Sequence, residues 1–349
     1  MKRTAAFCAL ALGVAACGDG NPFTTVETPT TPTTPTDPAT GITIPATLAS
    51  DLEGFTFTPD PSDPTAGTLT VEGVFLDEDA LNSTYVRKPG LDVPGYVAFA
   101  AQDDPLDQHA TAYVQSLNGT RAGVVVTGGQ FGTFNGGTAY ARDGDFDRPD
   151  LTEDTGQVSY AGSYVGLTDI DNDGGDLQPI PAGTPGELIP GQAAVVTGEI
   201  FLNVDFSDNT LKGSIYNRVL DPNDGLLPPG ETVLRVGSLD LDPAIINDDG
   251  TFLGNVVLDG DPTRQDRGDY GGIFGGVDSE AVAGTIYIKD HLIEGTTEEE
   301  EFGVFVLGRC GGPLENASIC AVVDGCAAST RPAQQHNAQP ARASSQPAG

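Results

Sequence analysis

The chain has 349 residues, with 16 Lys+Arg against 50 Asp+Glu and a formal net charge of −34. No basic stripe runs through it, which argues against nucleic-acid binding. Its 46 Gly and 26 Pro follow no collagen period, and 38% hydrophobic residues are too many for a disordered chain. The length accommodates two ordinary domains, and the acidic surface bears on solubility or a basic partner rather than on fold.

Residues 1–16 read as a leader: Lys2 and Arg3, then an apolar run too short to span a bilayer as a stable helix. The run ends in Val14-Ala15-Ala16-Cys17, which resembles the lipobox of bacterial lipoproteins. That resemblance implies acyl chains, palmitate among them, on Cys17 as first residue of the mature protein. Two chains already suffice for stable anchoring without a spanning segment. A plain secretory signal with a chance cysteine is the alternative. Residues 17–49, rich in Thr and Pro, predict an extended tether.

From 50 to 153 short apolar runs alternate with turn clusters and predict a β-rich, handle-like domain. Its strands are expected at 67–76, 95–102, 110–117, 122–129 and 137–144, with a helical turn inside DPLDQHATAYVQSL. A loop of Asp, Pro and Gly at 142–156 marks a boundary. Between 154 and 310 eight strands are expected: 157–165, 194–205, 210–217, 231–240, 251–258, 270–275, 281–289 and 302–308. The insert DIDNDGGDLQPIPAGTPGELIPGQ reads as loop. Glycine recurs inside these strands, as in DYGGIFGGVDSEAVAGTIYI, where it weakens a strand unless it serves a bend or a close approach. Eight strands close a barrel whose interior is just filled by side chains, and glycines supply its coiling. The fold class expected is all-β: an eight-stranded antiparallel barrel preceded by a smaller β-rich domain. A sandwich with glycine turns is the competing arrangement. Residues 311–349 form a Cys-containing segment and a low-complexity tail. Export implies an oxidising compartment, so one disulfide is expected among Cys310, Cys320 and Cys326, with the pairing open.

The order of motifs over about 155–308 resembles one barrel of the transferrin-binding-protein-B-like family of surface lipoproteins. The matching stretches are Val204-Asp205-Phe206, Gly213-Ser214-Ile215-Tyr216-Asn217, Gly250-Thr251-Phe252-Leu253-Gly254, Gly272-Ile273-Phe274-Gly275 with Glu280 and Gly284-Thr285, and Phe302-Gly303-Val304-Phe305. The resemblance implies a handle and barrel on the outer membrane, surface-exposed, that capture a protein or haem ligand in iron acquisition beside a TonB-dependent receptor. This chain has one lobe where those receptors have two, and no binding residue carries over. The periplasmic face is the alternative location, and a structural envelope lipoprotein without a captured ligand is the alternative function.

Three motifs carry chemistry of their own. Asp154-Thr155-Gly156 matches the aspartic-protease triplet, but no second copy supplies the partner carboxylate that mechanism needs; an enzyme is the third reading. Asp169, Asp171 and Asp173 match the first half of a calcium loop, but Ile180 stands where its chelating Glu belongs. His109 and His291 are the histidines outside the tail, each an axial-ligand candidate for haem. No cofactor is otherwise expected.

Overall fold

A computed structural model describes residues 42–60, 62–73, 84–151, 156–292, 299–315 and 317–321. Cys17, Asp154 and Cys326 lie outside them. The described residues belong to one compact unit, Thr34–Gly349, and are all-β apart from short helical turns.

After a one-turn helix α1 (Ala46–Ala49), seven strands follow: β1 (Leu52–Asp60), β2 (Asp63–Gly73), β3 (Thr84–Arg87), β4 (Val97–Ala101), β5 (Ala110–Leu117), β6 (Thr120–Thr127) and β7 (Gly136–Arg142). They form an antiparallel sheet in chain order that nearly closes, with Asp51 N donating to Gly136 O at 3.1 Å. The second sheet contains β8 (Gln157–Asp171), β9 (Ala193–Asp205), β10 (Thr210–Asp221), β11 (Leu234–Arg235), β12 (Leu239–Ile246), β13 (Thr251–Leu258), β14 (Asp266–Gly275), β15 (Ala281–Lys289) and β16 (Glu300–Arg309). Each strand except β11 pairs with neighbours on both sides, and β16 pairs back onto β8, so eight strands close an antiparallel barrel.

Two strands of the first sheet, β1 and β3, are not in the sequence reading. LEGFTFTPD alternates correctly, but its Gly, Pro and Asp resemble turn chemistry, and β3 has only four residues. No helical turn forms in DPLDQHATAYVQSL, which makes turns and then β5. The strand expected at 231–240 is displaced to β12. Within the expected span only Leu234–Arg235 and the first two residues of β12, Leu239 and Asp240, pair, whereas Pro243 sits where the pairings of β12 shift register. Proline is tolerated at such a bulge because no ladder donor is needed there.

Side-chain alternation divides the apolar residues into three cores. The barrel lumen holds Tyr160, Tyr164, Ile200, Leu202, Phe252, Tyr270, Phe274 and Phe305. Opposite pleats of the same strands (Val165, Leu167, Ile273, Val304, Val306) face the first sheet and share a core with Leu48, Tyr113, Val124 and Val126. The first sheet encloses a third core around Leu69, Val71, Phe99 and Val125. Burial of this kind contributes roughly 25 cal/mol per Å², so the sheets are held by packing as well as by Tyr96, whose hydroxyl donates to Ser163 O at 2.8 Å and Val304 O at 3.1 Å. Cys310 is disulfide-bonded to Cys320 just beyond β16.

Candidate functional site

One end of the barrel carries a polar centre in an otherwise apolar lumen. Arg218 and Glu301 are fully buried, with Arg218 Nη2 2.5 Å from Glu301 Oε2. His291 Nε2 stands 3.0 Å from the same carboxylate oxygen and 3.0 Å from Arg218 Nη2. Tyr164 donates its hydroxyl to Glu301 Oε1, and Arg218 Nη1 donates to Gly237 O at 2.7 Å. Burial pushes the Glu301 carboxyl up, but the Arg218 charge and the donors around it outweigh burial and hold it below its ordinary value. Burial depresses the His291 imidazole despite Glu301 beside it. Burial, then the Glu301 charge, drives Tyr164 well above the ordinary phenol range.

The sequence makes room for these groups with glycine. A Cβ on Gly166 would lie 2.5 Å from Glu301 Oε1, one on Gly198 would lie 3.2 Å from Arg218 Cγ, and one on Gly303 would strike the Tyr164 ring. Arg218 reaches the lumen through a bulge. Leu211 and Ile215 point inward, so strict alternation would aim Arg218 at solvent. The register shifts between Tyr216 and Val219, with Asn217 at φ 52°, and Arg218 turns inward with Leu220. Asn tolerates this left-handed conformation better than most residues.

A second arrangement lies where the acidic insert, residues 172–192, crosses to the first sheet as a strap. Asp176 accepts from Lys88 Nζ at 2.9 Å and pairs with His109 Nε2 at 3.0 Å, and His109 Nδ1 lies 3.4 Å from Thr111 Oγ1. Gln178 N donates to Gln102 Oε1 at 2.8 Å, and Gly191 N to Gly129 O at 2.8 Å. Val86, Lys88, Gln102, His109 and Gln178 line a cleft of about 160 Å³ at this seam. Asp176 itself is held below the ordinary carboxylate value: burial raises it, but His109 and Lys88 more than compensate.

The strap ends beside an apolar tip. Between β6 and β7 the stretch GGQFGTFNGG makes a hairpin in which Gln130 and Thr133 bond each other's backbone at 3.2 and 2.9 Å. Phe131 at its apex is 65% exposed and has φ 54°. The buried Gln130 amide donates to Leu106 O at 2.8 Å and Leu188 O at 3.0 Å, which fixes Leu188 and Ile189 (36% and 39% exposed) next to the hairpin.

The three calcium candidates do not converge. Asp169 accepts from Glu300 N at 3.0 Å, Asp171 from Gly129 N at 3.3 Å and Asp173 from Asp224 N at 2.9 Å. Among the described residues no group of three or more potential ligands could hold a metal ion. Both histidines are buried, each with Nε2 on a carboxylate, so neither ring is presented at the surface to an external haem. Sequence reasoning missed Arg218, Glu301 and Phe131. The signals present were an Asn in a strand for Arg218 and a lone aromatic in a glycine-rich turn for Phe131, while Glu301 hides in the run Glu298–Glu301.

No protein-family model matches the chain, and no curated protein matches it. Solved structures align at low similarity. A double mutant of transferrin-binding protein B from Haemophilus parasuis Hp5 aligns at 12% identity and TM-score 0.34, covering 62% of this chain and 38% of that one. Isotype 1 transferrin-binding protein B from serogroup B Neisseria meningitidis gives 15% and 0.28, covering 64% and 36%. A DUF3598-family protein of unknown function from Nostoc punctiforme gives 14% and 0.21, covering 73% and 87%. The chain thus spans well under half of those transferrin-binding proteins, and family membership does not follow from likeness at this level.

Proposed function

We propose that this protein is a lipoprotein of the bacterial cell envelope, anchored in the outer membrane through acyl chains on Cys17, that binds a protein ligand at the tip built by Phe131, Leu188 and Ile189. In this reading residues 50–153 form the handle, 154–310 the barrel, and the body faces the cell surface. The observation that carries it is Phe131: an aromatic held exposed in a left-handed backbone conformation. Such a conformation costs on the order of 1–3 kcal/mol for a non-glycine residue and is kept where surroundings enforce it, often at ligand contacts. The Gln130 bonds supply that enforcement. Aromatic residues, Phe among them, are enriched in protein interfaces relative to the rest of the surface.

Within this reading the ligand is an iron carrier, by the motif resemblance, and a TonB-dependent receptor takes up the iron. Surface plasmon resonance against iron-loaded transferrin tests it. Wild type should bind, and Phe131→Ser with Leu188→Ser should weaken binding by roughly 2 kcal/mol or more, as loss of an interface anchor does. No binding by wild type overturns the iron-carrier assignment and favours a structural envelope role; equal binding by the variant overturns the tip. Anchoring has its own check. Cys17→Ser should leave an unprocessed precursor or a released protein, and a variant that still partitions into detergent as mature lipoprotein overturns the lipobox reading.

A further inference from the structure

We propose that the strap, residues 172–192, is a latch on the first sheet that acid releases through His109. The strap brings almost no apolar anchor to the sheet: between 172 and 189 no residue is fully buried, and Pro190 and Gln192 are the first that are. Its attachment is polar, through Asp176 to Lys88 and His109, Gln178 to Gln102, Leu188 to Gln130 and Gly191 to Gly129. Segments held in this way open at low free-energy cost compared with a packed core.

At the centre of the attachment one carboxylate serves two cationic groups. With His109 neutral, Lys88 and Asp176 balance. Protonation of His109 places two positive charges against one negative charge around a ring that is 1% exposed. The other charged group lining this cleft is Asp103. Burial, its largest cause, lowers the His109 pKa from the ordinary 6.5, and Lys88 adds to this, against the pull of Asp176. A depressed histidine pKa means that the closed strap binds fewer protons than the open one. Closure is therefore fully favoured above the ordinary imidazole value and weakens as pH falls below it. Release exposes His109 to water, where it charges freely. Because the strap carries Leu188 and Ile189, release also dismantles the tip; that consequence rests on the function proposed above, whereas the latch does not.

Hydrogen exchange on the full chain tests the latch without any ligand, so its failure is distinguishable from failure of tip binding. Protection factors of the Asp176, Gln178 and Gly191 amides are measured from about pH 8 to about pH 5, a range that histidine titration spans. Wild type should lose on the order of tenfold in strap protection for each unit by which the His109 pKa is depressed, while Val165 and Leu202 amides in the barrel keep theirs. His109→Gln should make strap protection independent of pH. Lys88→Met should make the profile shallower without abolishing it, since protonated His109 then faces Asp176 without a second cation while its burial remains, and this variant keeps the proposal testable if His109→Gln misfolds. His291→Gln, which alters the other buried imidazole, should leave the strap profile as in wild type. Flat strap protection in wild type, pH dependence that survives His109→Gln, or a Lys88→Met profile as steep as that of wild type overturns the latch.

Discussion

Glu301→Ala should destabilise the protein by about 3–5 kcal/mol, the range for removing one partner of a buried ion pair. The loss arises less from the attraction removed than from what remains: Arg218, with its side chain fully buried, keeps its charge, and Gly237 O is a poor substitute for a carboxylate. Arg218→Met should cost a similar amount, because burial, no longer opposed by the Arg218 charge, pushes the Glu301 carboxyl up and leaves it to Tyr164 and His291 alone. Replacing both, Arg218→Met with Glu301→Leu, should recover much of the loss, since an apolar pair of similar volume carries no desolvation penalty. Tyr164→Phe, which removes one donor and leaves the pair, should cost about 1 kcal/mol. Urea denaturation of these four variants, with Glu301→Leu alone to close the cycle, is the measurement. Additive losses in the double variant would mean that Arg218 and Glu301 act independently, contrary to the 2.5 Å contact between them.

The strands were legible because alternation and turn chemistry are local properties. Seven of the eight barrel strands fall where the apolar runs place them, and the eighth was displaced because Pro243 hides a bulge that only the neighbouring strands accommodate. Glycine spacing alone left barrel and sandwich open, and the count of eight strands with the order of motifs pointed to closure; the first sheet was legible only in part, without β1 and β3. The functional geometry was not, for a different reason. Arg218 turns inward through a one-residue register shift, and Glu301 ends a run of acids that reads as a solvated face. Both are decided by contacts across the barrel, over 83 positions of sequence. The strap reads as loop from its Pro, Gly and Asp, which is correct locally. Its docking depends on Lys88, Gln102 and His109, and nothing in the insert identifies these partners.

Gly284→Val should destabilise the barrel by about 3 kcal/mol, at the upper end of what overpacking commonly costs. Gly284 lies on β15 opposite Gly272 of β14 and Phe305 of β16. An added Cβ would strike the Phe305 ring and come within 2.7 Å of Gly271 O. The ring could rotate at a price in packing, but the carbonyl belongs to the adjacent strand and moves only with the ladder, and valine's two methyl groups aggravate both contacts. Gly284→Ala should therefore be damaging too, though less so. Gly275→Val meets a softer obstacle, Thr120 Oγ1 at 2.6 Å and Arg142 Cβ at 3.2 Å across the seam between the sheets, and should cost less than Gly284→Val. Gly186→Ala in the strap, where a Cβ meets nothing within 4 Å, is the control and should stay within about 0.5 kcal/mol of wild type. Combining Gly284→Ala with Phe305→Leu should restore part of the stability by removing the ring while leaving the carbonyl clash. Calorimetry would read the loss for Gly284→Val as a fall in melting temperature of about 5 °C or more. An unchanged melting temperature would mean that Phe305 does not cover Gly284 and that this glycine serves strand coiling alone.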